Sequence, residues 1–529
     1  MRITNKIMQN NNLNNINNNK ILQDRLSTRM STGKKINRPS DDPVVAIRAL
    51  RLRSNVTEVT QYYSKNIPDA ESWLSVTEGA LKNTSDILTK MIKHCTGADG
   101  DQTSANRKII LEQLKALREE VYSTADVDYA GRFVFAGYRT DTSISFTQAK
   151  TLEYTITQQL DNTAIDSLTF IKTTAQLAGG TTVDINDLNQ TNYNGIQVTE
   201  NDISATEVHR IRLSYEDLSA GMVPTITRVT GKDADGNVTT EDVVAAASVK
   251  TVHDYDVPTA YELASQNPDD VYFVPETGEL ILGDNVYSKM MAYKDTASTS
   301  TVNEGEIRIT YQKDKWLKGD LRPEHYYACA TKDAAGTTID YNQDYLTGSD
   351  VAKQVIEYDV GFNQTIRVNT TANECFDPGI GREVDDLINV LEEVQNLEGV
   401  AGTLEDMLKT ETDETIAATL QSRLDAANKA LTLTKNKMQL MFEGGITALQ
   451  GYLDDTNLAI TNCGTRSSKL ELVENRMKNQ KTTFETLKSE NEDIDITEVA
   501  IELKSAELTY NAALMATGKV SQTNLLNFI

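Results

Sequence analysis

Residues 43–95 read PVVAIRALRLRSNVTEVTQYYSKNIPDAESWLSVTEGALKNTSDILTKMIKHC, and the spacing of their apolar side chains decides the fold. Alternating steps of four and three residues select mostly apolar positions: Val45, Ala49, Leu52, Val56, Val59, Tyr63, Asn66, Ala70, Trp73, Thr77, Ala80, Thr84, Ile87 and Met91. This spacing is typical of a helix that packs in a coiled coil or bundle. A second stripe widens the apolar face beyond a two-stranded seam and favours a bundle: Leu74, Leu81, Leu88 and Cys95. Because the register passes through Pro68 without a slip, we predict one long helix, kinked there, rather than two helices.

The start of this helix has a local cause in the segment NRPSDDP, residues 37–43. We expect the Ser40 side chain to cap the first free backbone N–H groups. Asp41 and Asp42 would face the positive end of the helix, and Pro43 fits the first helical turn.

The last third of the chain repeats the helical pattern. One heptad stripe precedes Gly444-Gly445: Leu420, Leu424, Ala427, Leu431, Thr434, Met438 and Met441. A shifted stripe continues from Leu449 to Leu487, and the acidic stretch at residues 489–493 should end it. A last helix then places apolar and small residues at three-four spacing: Ile496, Val499, Leu503, Ala506, Tyr510, Ala513, Thr517 and Val520.

The first twenty residues include nine asparagines, which are poor helix formers in isolation. The same region nevertheless carries apolar side chains at intervals: Ile3, Ile7, Leu13, Ile16, Leu22, Leu26 and Met30. The segment is too polar to fold alone and too apolar to be an idle linker. We therefore predict that it becomes helical when a partner covers its apolar face, and we expect the last helix to behave similarly.

Between the helical ends, the composition changes. Thr, Val, Ile, Tyr and Asp alternate with turn signals such as residues 177–180, Asp235-Gly236-Asn237 and Thr277-Gly278, which predicts β-strands. The predicted fold class is mainly α at both termini, in a long-helix coiled-coil bundle, with a central β-rich outer region in an elongated multidomain chain. The predicted segments are residues 1–42, which pair with 490–529; 43–145 and 379–489, which form the two halves of the bundle; and 146–378, an enlarged β-rich region.

Composition excludes several classes of protein. The 529 residues have a formal net charge of −25 and a mean hydropathy of −0.43. Such an acidic chain repels phosphate backbones and anionic lipids, which argues against nucleic-acid and membrane-surface binding. No run of about 18 apolar residues occurs, and the N-terminus lacks the apolar core of a cleaved secretory signal. The four cysteines form no C-x-x-C pair, and Cys463 on its helical stripe is interpreted as a buried hydrophobic residue.

The sequence contains little that is typical of a catalytic or metal-binding site. The four histidines form no H-E-x-x-H motif, and residues 233–237 depart from the EF-hand pattern, so a hairpin turn is favoured there. Trp73 falls on the helical stripe, and for Trp316 plain packing is favoured over a sugar or partner contact. We therefore predict a protein that is not an enzyme and that has no cofactor, no metal site and no catalytic residues.

Three stretches resemble a known family. MSTGKKINRPSDDP at residues 30–43 resembles the N-terminal signature of bacterial flagellin-type axial proteins, and its DDP ending is closer to the hook-associated protein 3 family of the hook–filament junction than to flagellins. AGRFVFAGY at 130–138 and LELVENR at 470–476 are similar to the same family, and residues 493–529 are also similar to flagellins. The resemblance assigns these positions to family motifs: Gly33, Arg38, Ser40, Asp41, Asp42, Pro43, Gly131, Arg132, Phe135 and Gly137.

The resemblance implies a structural component of the bacterial flagellum. Such a subunit is exported without a cleaved signal through the flagellar type III channel and polymerises outside the cell through its terminal helices. The implied partners are other copies of the chain, the hook-side junction protein (hook-associated protein 1), flagellin and an export chaperone. The expected assembly interface comprises Ile3, Ile7, Leu13, Ile16, Leu22, Leu26, Ile496, Val499, Leu503, Ala506, Tyr510, Ala513 and Val520. The alternatives are a flagellin of the filament body and, more distantly, a glycan-binding or hydrolytic middle region.

Overall fold

The computed structural model describes residues 5–98, 103–176, 182–186, 198–293, 305–333, 335–347 and 354–522. The chain divides into two compact units. Unit 1 comprises residues 1–71, 358–366 and 468–529, and unit 2 comprises residues 72–357 and 367–467.

The helices lie mainly at the two ends of the chain, as the heptad patterns predict. They are α1 (Asn5–Thr32), α2 (Pro43–Gln61), α3 (Ile67–Ala98), α4 (Ser104–Ser123), α5 (Ala260–Gln266), α6 (Asp284–Met291), α7 (Pro378–Thr410), α8 (Glu414–Glu492) and α9 (Ile496–Gln522). Helix α8 runs for 79 residues through Gly444-Gly445 and ends within the acidic stretch, as predicted.

The predicted long helix around Pro68 is continuous but contains an irregular turn. A five-residue π-helix, Tyr62–Asn66, joins α2 directly to α3. Proline has no N–H to donate to the preceding turn, and a wider π turn is one way in which a helix accommodates such a local mismatch. The helix is therefore distorted just before Pro68, by a π-helical turn that the apolar spacing did not predict.

The start of α2 differs from the prediction. Asp42, rather than Ser40, is the N-cap, and its carboxylate accepts hydrogen bonds from Val44 N and Val45 N. Asp41 instead accepts from the backbone N–H groups of Asn37 and Arg38. The assignment of the cap to Ser40 was wrong because Pro43 occupies the first helical position, which places the cap on the residue directly before it.

The middle of the chain forms β-sheets. The strands are β1 (Asp128–Tyr129), β2 (Arg132–Phe133), β3 (Lys150–Leu160), β4 (Ile165–Lys172), β5 (Thr174–Gln176), β6 (Thr182–Asp184), β7 (Ser204–Arg212), β8 (Thr225–Lys232), β9 (Val238–Asp242), β10 (Val249–Thr251), β11 (Val271–Val274), β12 (Glu279–Leu282), β13 (Ile307–Trp316), β14 (Ala328–Lys332), β15 (Thr338–Tyr341), β16 (Glu357–Gly361) and β17 (Gln364–Arg367). The larger sheets of the described residues have strand orders β15-β14-β3-β13-β8-β9 and β10-β11-β12-β7-β4. The predicted fold class, helical at both ends with a β-rich middle, is confirmed.

The helical core of unit 2 is built from α3, α4, α7 and α8. Its buried members include Met91, Leu114, Leu391 and Phe442. Gly445 permits a close helix approach, because a Cβ atom there would lie 3.0 Å from the Leu387 side chain of α7. The wide apolar face predicted for residues 74–95 is thus buried in a bundle.

A buried ionic network links the second sheet to α7 within unit 2. Arg210 of β7 contacts both Glu279 of β12 and Asp386 of α7. Arg212 bonds to the same Asp386, and its Nη2 lies 2.7 Å from Glu383 Oε2. Because each buried charge faces a partner of opposite sign, the desolvation cost of burying it is offset.

Other packing predictions are confirmed. Trp73 and Trp316 are buried, and Trp316 Nε1 donates to Leu152 O at 2.8 Å. Cys463 is also buried. Residues 233–237 form the turn of the β8–β9 hairpin, where Asp233 accepts from the N–H groups of Asp235 and Asn237. The turn signal at residues 177–180 lies outside the described residues.

Among the described residues, no helix combines the length and the apolarity that are needed to cross a bilayer.

Candidate assembly surface on the terminal helices

Helices α1 and α9 pack against each other in unit 1. Leu26 of α1 is buried against Val499 and Ala506 of α9, and Ile494 and Leu503 pack beside them. The half-buried positions of α1 that continue toward its N-terminus are spaced by four and three residues: Asn12, Ile16, Asn19 and Gln23. This spacing is that of a coiled-coil seam. Helices α1 and α9 therefore pack as a pair within one chain.

The seam is narrow and partly polar. Leu26 is the one fully buried apolar side chain of α1 in the described residues. On α9, the side chains facing the seam include the small residues Ala506 and Ala513, which allow a close helix approach. A seam with so little buried apolar area stabilises two long helices only weakly.

An ionic clamp holds the base of the pair. Arg53 of α2 makes two hydrogen bonds to the Glu492 carboxylate, both 2.7 Å long. Lys34 Nζ lies 2.5 Å from Asp493 Oδ1 and 3.4 Å from Glu492 Oε2. The hydrogen bonds from Arg53 hold the pKa of Glu492 below its usual value, and those from Lys34 lower the pKa of Asp493. The clamp connects the end of α8 to α2 through Arg53 and to the segment between α1 and α2 through Lys34.

The backbone reinforces this clamp. Gly33 ends α1 with a φ of +68°, a conformation that glycine adopts without strain. The Gly33 carbonyl accepts from Ile494 N at 3.1 Å, and the Glu492 carbonyl accepts from Lys35 N at 2.7 Å. Gly33 therefore lets the chain turn at the end of α1, next to the start of α9.

The predicted interface residues fall into two groups. Those on the inner face of the pair, buried or half-buried, are Ile16, Leu26, Val499, Leu503, Ala506, Tyr510 and Ala513. Those that the structure leaves exposed are Ile7, Leu13, Leu22 and Ile496. The apolar residues of α1 thus do not share one face. Ile3 lies outside the described residues, and the Val520 side chain is likewise not described.

An apolar stripe on α9 was missed by the sequence reasoning. Ile501, Leu508 and Met515 are 66%, 76% and 74% exposed, respectively. Nine residues separate Val499 from Leu508, which is about two and a half helical turns, so this outer stripe lies on the side of α9 opposite the seam. The repeat of seven residues was a signal that could have identified it.

The remaining motif residues have structural roles. Gly131 and Gly137 adopt positive φ angles of 77° and 62°, and Gly131 lies in the turn between β1 and β2. The Arg132 guanidinium lies 4.8 Å from the centre of the Trp73 ring, and the Phe135 and Phe376 rings meet edge to face at 4.9 Å. Gly131 and Arg132 thus place the β1–β2 turn against α3, whereas Phe135 packs on the segment before α7.

Two further motif positions are open to solvent. Arg38 and Ser40 are exposed in the loop between α1 and α2.

In the part of the chain that the structure describes, no group of three or more His, Cys, Asp or Glu side chains is arranged to hold a metal ion.

Comparisons with known proteins agree with the sequence motifs. Residues 3–140 match the bacterial flagellin N-terminal helical region. The chain is 31% identical over 168 residues to flagellar hook-associated protein 3 of Salmonella typhimurium, covering 31% of this chain and 52% of that protein. It is 28% identical over 150 residues to flagellar hook-associated protein 3 of Escherichia coli, covering 27% of this chain and 45% of that protein. The matches thus span about half the length of these relatives.

Among solved structures, hook-associated protein 3 of Legionella pneumophila is similar, with a TM-score of 0.28 and 10% identity over 83% of this chain and 98% of that one. An overlap with so low a TM-score carries no structural argument, so the similarity to hook-associated protein 3 rests on sequence. Residues 3–140 are therefore similar to the N-terminal helical region of bacterial flagellins, and about a third of the chain is similar to flagellar hook-associated protein 3.

Proposed function

We propose that the chain is a non-enzymatic structural subunit of the bacterial flagellum that polymerises through its paired terminal helices at the hook–filament junction. The observation that carries this proposal is the two-sided α9 helix, which packs on α1 through one face and exposes Ile501, Leu508 and Met515 on the other. Exposed apolar side chains that recur along one face of a helix are typical of a protein–protein contact. The relation to hook-associated protein 3 supports the junction as its place.

In this proposal, folding and polymerisation are coupled. The α1–α9 seam buries little apolar area, so the pair is only weakly stable in a free subunit. Covering an apolar side chain such as Leu508 contributes about 1.5–3 kcal/mol if its burial is complete. Contacts that neighbouring subunits make with the outer stripe therefore stabilise the paired state and favour ordering at the growing end.

The proposed partners follow from the same role. Other copies of the chain contact the terminal helices, hook-associated protein 1 lies on the hook side, and flagellin continues on the filament side. An export chaperone covers the apolar face of α9 before export. The proposed location is extracellular, in the flagellum.

The second candidate is a flagellin of the filament body, favoured by the match of residues 3–140 to the flagellin N-terminal region. Immunogold electron microscopy of intact flagella, with antibodies against residues 146–378, separates the two. A junction subunit gives one narrow band where hook meets filament. Label along the whole filament would identify a flagellin, and unlabelled flagella would refute both candidates.

A further inference from the structure

Charge is distributed unevenly along the chain. Residues 1–53 contain eleven Lys and Arg against three Asp and Glu, whereas the remaining residues contain 41 against 74. The N-terminal segment is therefore a basic part of a strongly acidic chain. A basic surface on such a chain has a complementary acidic surface available on every other copy.

Part of this basic segment forms a helical face that the described part of the chain leaves exposed. Val44, Ile47, Arg48 and Arg51 lie at positions i, i+3, i+4 and i+7 of α2, which share one side of a helix. All four side chains are exposed, as is the adjacent Leu50. We call these five residues the basic face.

The acids nearest to the basic face in sequence are already engaged. Asp42 caps α2, and Asp41 accepts hydrogen bonds from the Asn37 and Arg38 backbone. Within the described residues, the ion pairs of unit 1 include Arg53 but neither Arg48 nor Arg51. The two guanidinium groups thus remain available for an external carboxylate.

Helix α9 carries a face of opposite charge in its first turns. Glu498, Ile501 and Glu502 lie at positions i, i+3 and i+4, and all three are exposed. In the part of the chain that is described, neither glutamate forms an ion pair. We call these three residues the acidic face. It combines two carboxylates with an apolar side chain, as the basic face combines two guanidinium groups with apolar side chains.

We propose that the basic face of α2 binds the acidic face of α9 on a second copy of this chain. The contact is heterologous, because each copy contributes one face and retains the other for the next copy, and repetition of such a contact builds an open or ring-shaped assembly. Arginine pairs with carboxylates while the apolar side chains between them are removed from water. This inference rests on the proposed function and names two surfaces through which subunits meet.

The test is charge reversal in the full-length chain, with self-association measured by sedimentation velocity at low and high salt. Arg48→Glu/Arg51→Glu and Glu498→Lys/Glu502→Lys should each weaken association by at least about tenfold, because two attractive pairs become repulsive. The variant with all four reversals restores opposite charges across the contact and should recover wild-type association to within about threefold. Wild-type association should also weaken at high salt.

Three results would overturn the proposal. The wild-type chain does not associate, or neither double variant changes association, or the variant with all four reversals associates as weakly as the two double variants. Thermal unfolding of each variant checks that its fold is retained. Glu471→Lys, a charge reversal at an exposed position of α8 outside both faces, should leave association unchanged. If immunogold places the protein at the junction but the reversals have no effect, this inference fails while the proposed function stands.

Discussion

Replacing Leu26 with alanine should open the α1–α9 pair while leaving unit 2 intact. Leu26 is 2% exposed between Val499 and Ala506. Burial of a leucine and the cavity left by its truncation together cost about 2–5 kcal/mol in protein cores. The low end of this range applies here because two helices can close around the gap. A destabilisation of about 2 kcal/mol raises the equilibrium constant for opening of the pair about thirtyfold.

Hydrogen–deuterium exchange with mass spectrometry measures this opening directly. Peptides from α1 and α9 should exchange about thirtyfold faster in Leu26→Ala, while peptides from α7 keep the wild-type rate. Leu22→Ala is a matched control: it makes the same substitution in the same helix, but Leu22 is 46% exposed. Equal acceleration by the two variants, or none by Leu26→Ala, would refute the assignment of the seam.

Three further outcomes are expected. Arg53 holds the pKa of Glu492 below its unfolded value, so the stabilisation that Glu492 contributes is present above about pH 4.3 and is lost as the pH falls through the lowered pKa. Glu492→Gln should therefore reduce the acid dependence of exchange in unit 1, and the part that Asp493 contributes through Lys34 should remain. Gly444→Ala, where a Cβ meets open space, should raise the free energy of unfolding by up to about 1 kcal/mol, whereas Gly445→Ala should gain less because of its crowded position, as measured by chemical denaturation. Leu503→Asp places a charge in the seam and should abolish incorporation into flagella while the central region remains folded, which proteolysis of the purified variant can check.

The long helices were predictable because their signal is local and repeated. Heptad spacing marked the buried stripe of α3, and the acidic stretch marked the end of α8. The cap of α2 was missed because three capping residues occur in succession and only the position of Pro43 decides among them. The order of strands in the two larger sheets could not be predicted, because pairing such as that of β3 with β13 joins residues about 150 positions apart.

The candidate surface was predicted in part. The α9 positions facing the seam followed from three-four spacing, and Val499 and Ala506 are buried as that spacing requires. On α1, however, the conspicuous residues Leu13 and Leu22 are exposed, and the seam passes through Asn12 and Asn19 instead. Hydrophobicity alone did not identify the residues of α1 that face the seam, because half-buried positions of a weak seam tolerate asparagine. Asparagine at such positions can set the register of paired helices at a cost in stability.

Disulfide crosslinking in purified flagella tests most directly whether subunits assemble through the outer stripe. The cysteines Cys95, Cys329, Cys375 and Cys463 are buried and unpaired. The wild-type chain should therefore form few disulfide crosslinks under mild oxidation. A double variant with Ile47→Cys on the basic face of α2 and Ile501→Cys on the outer stripe of α9 is expected to form disulfides between neighbouring copies under mild oxidation. It should yield a series of multimers in assembled flagella but not in the dilute monomer. Flagella that contain the variant yet yield only monomer after oxidation would contradict the account.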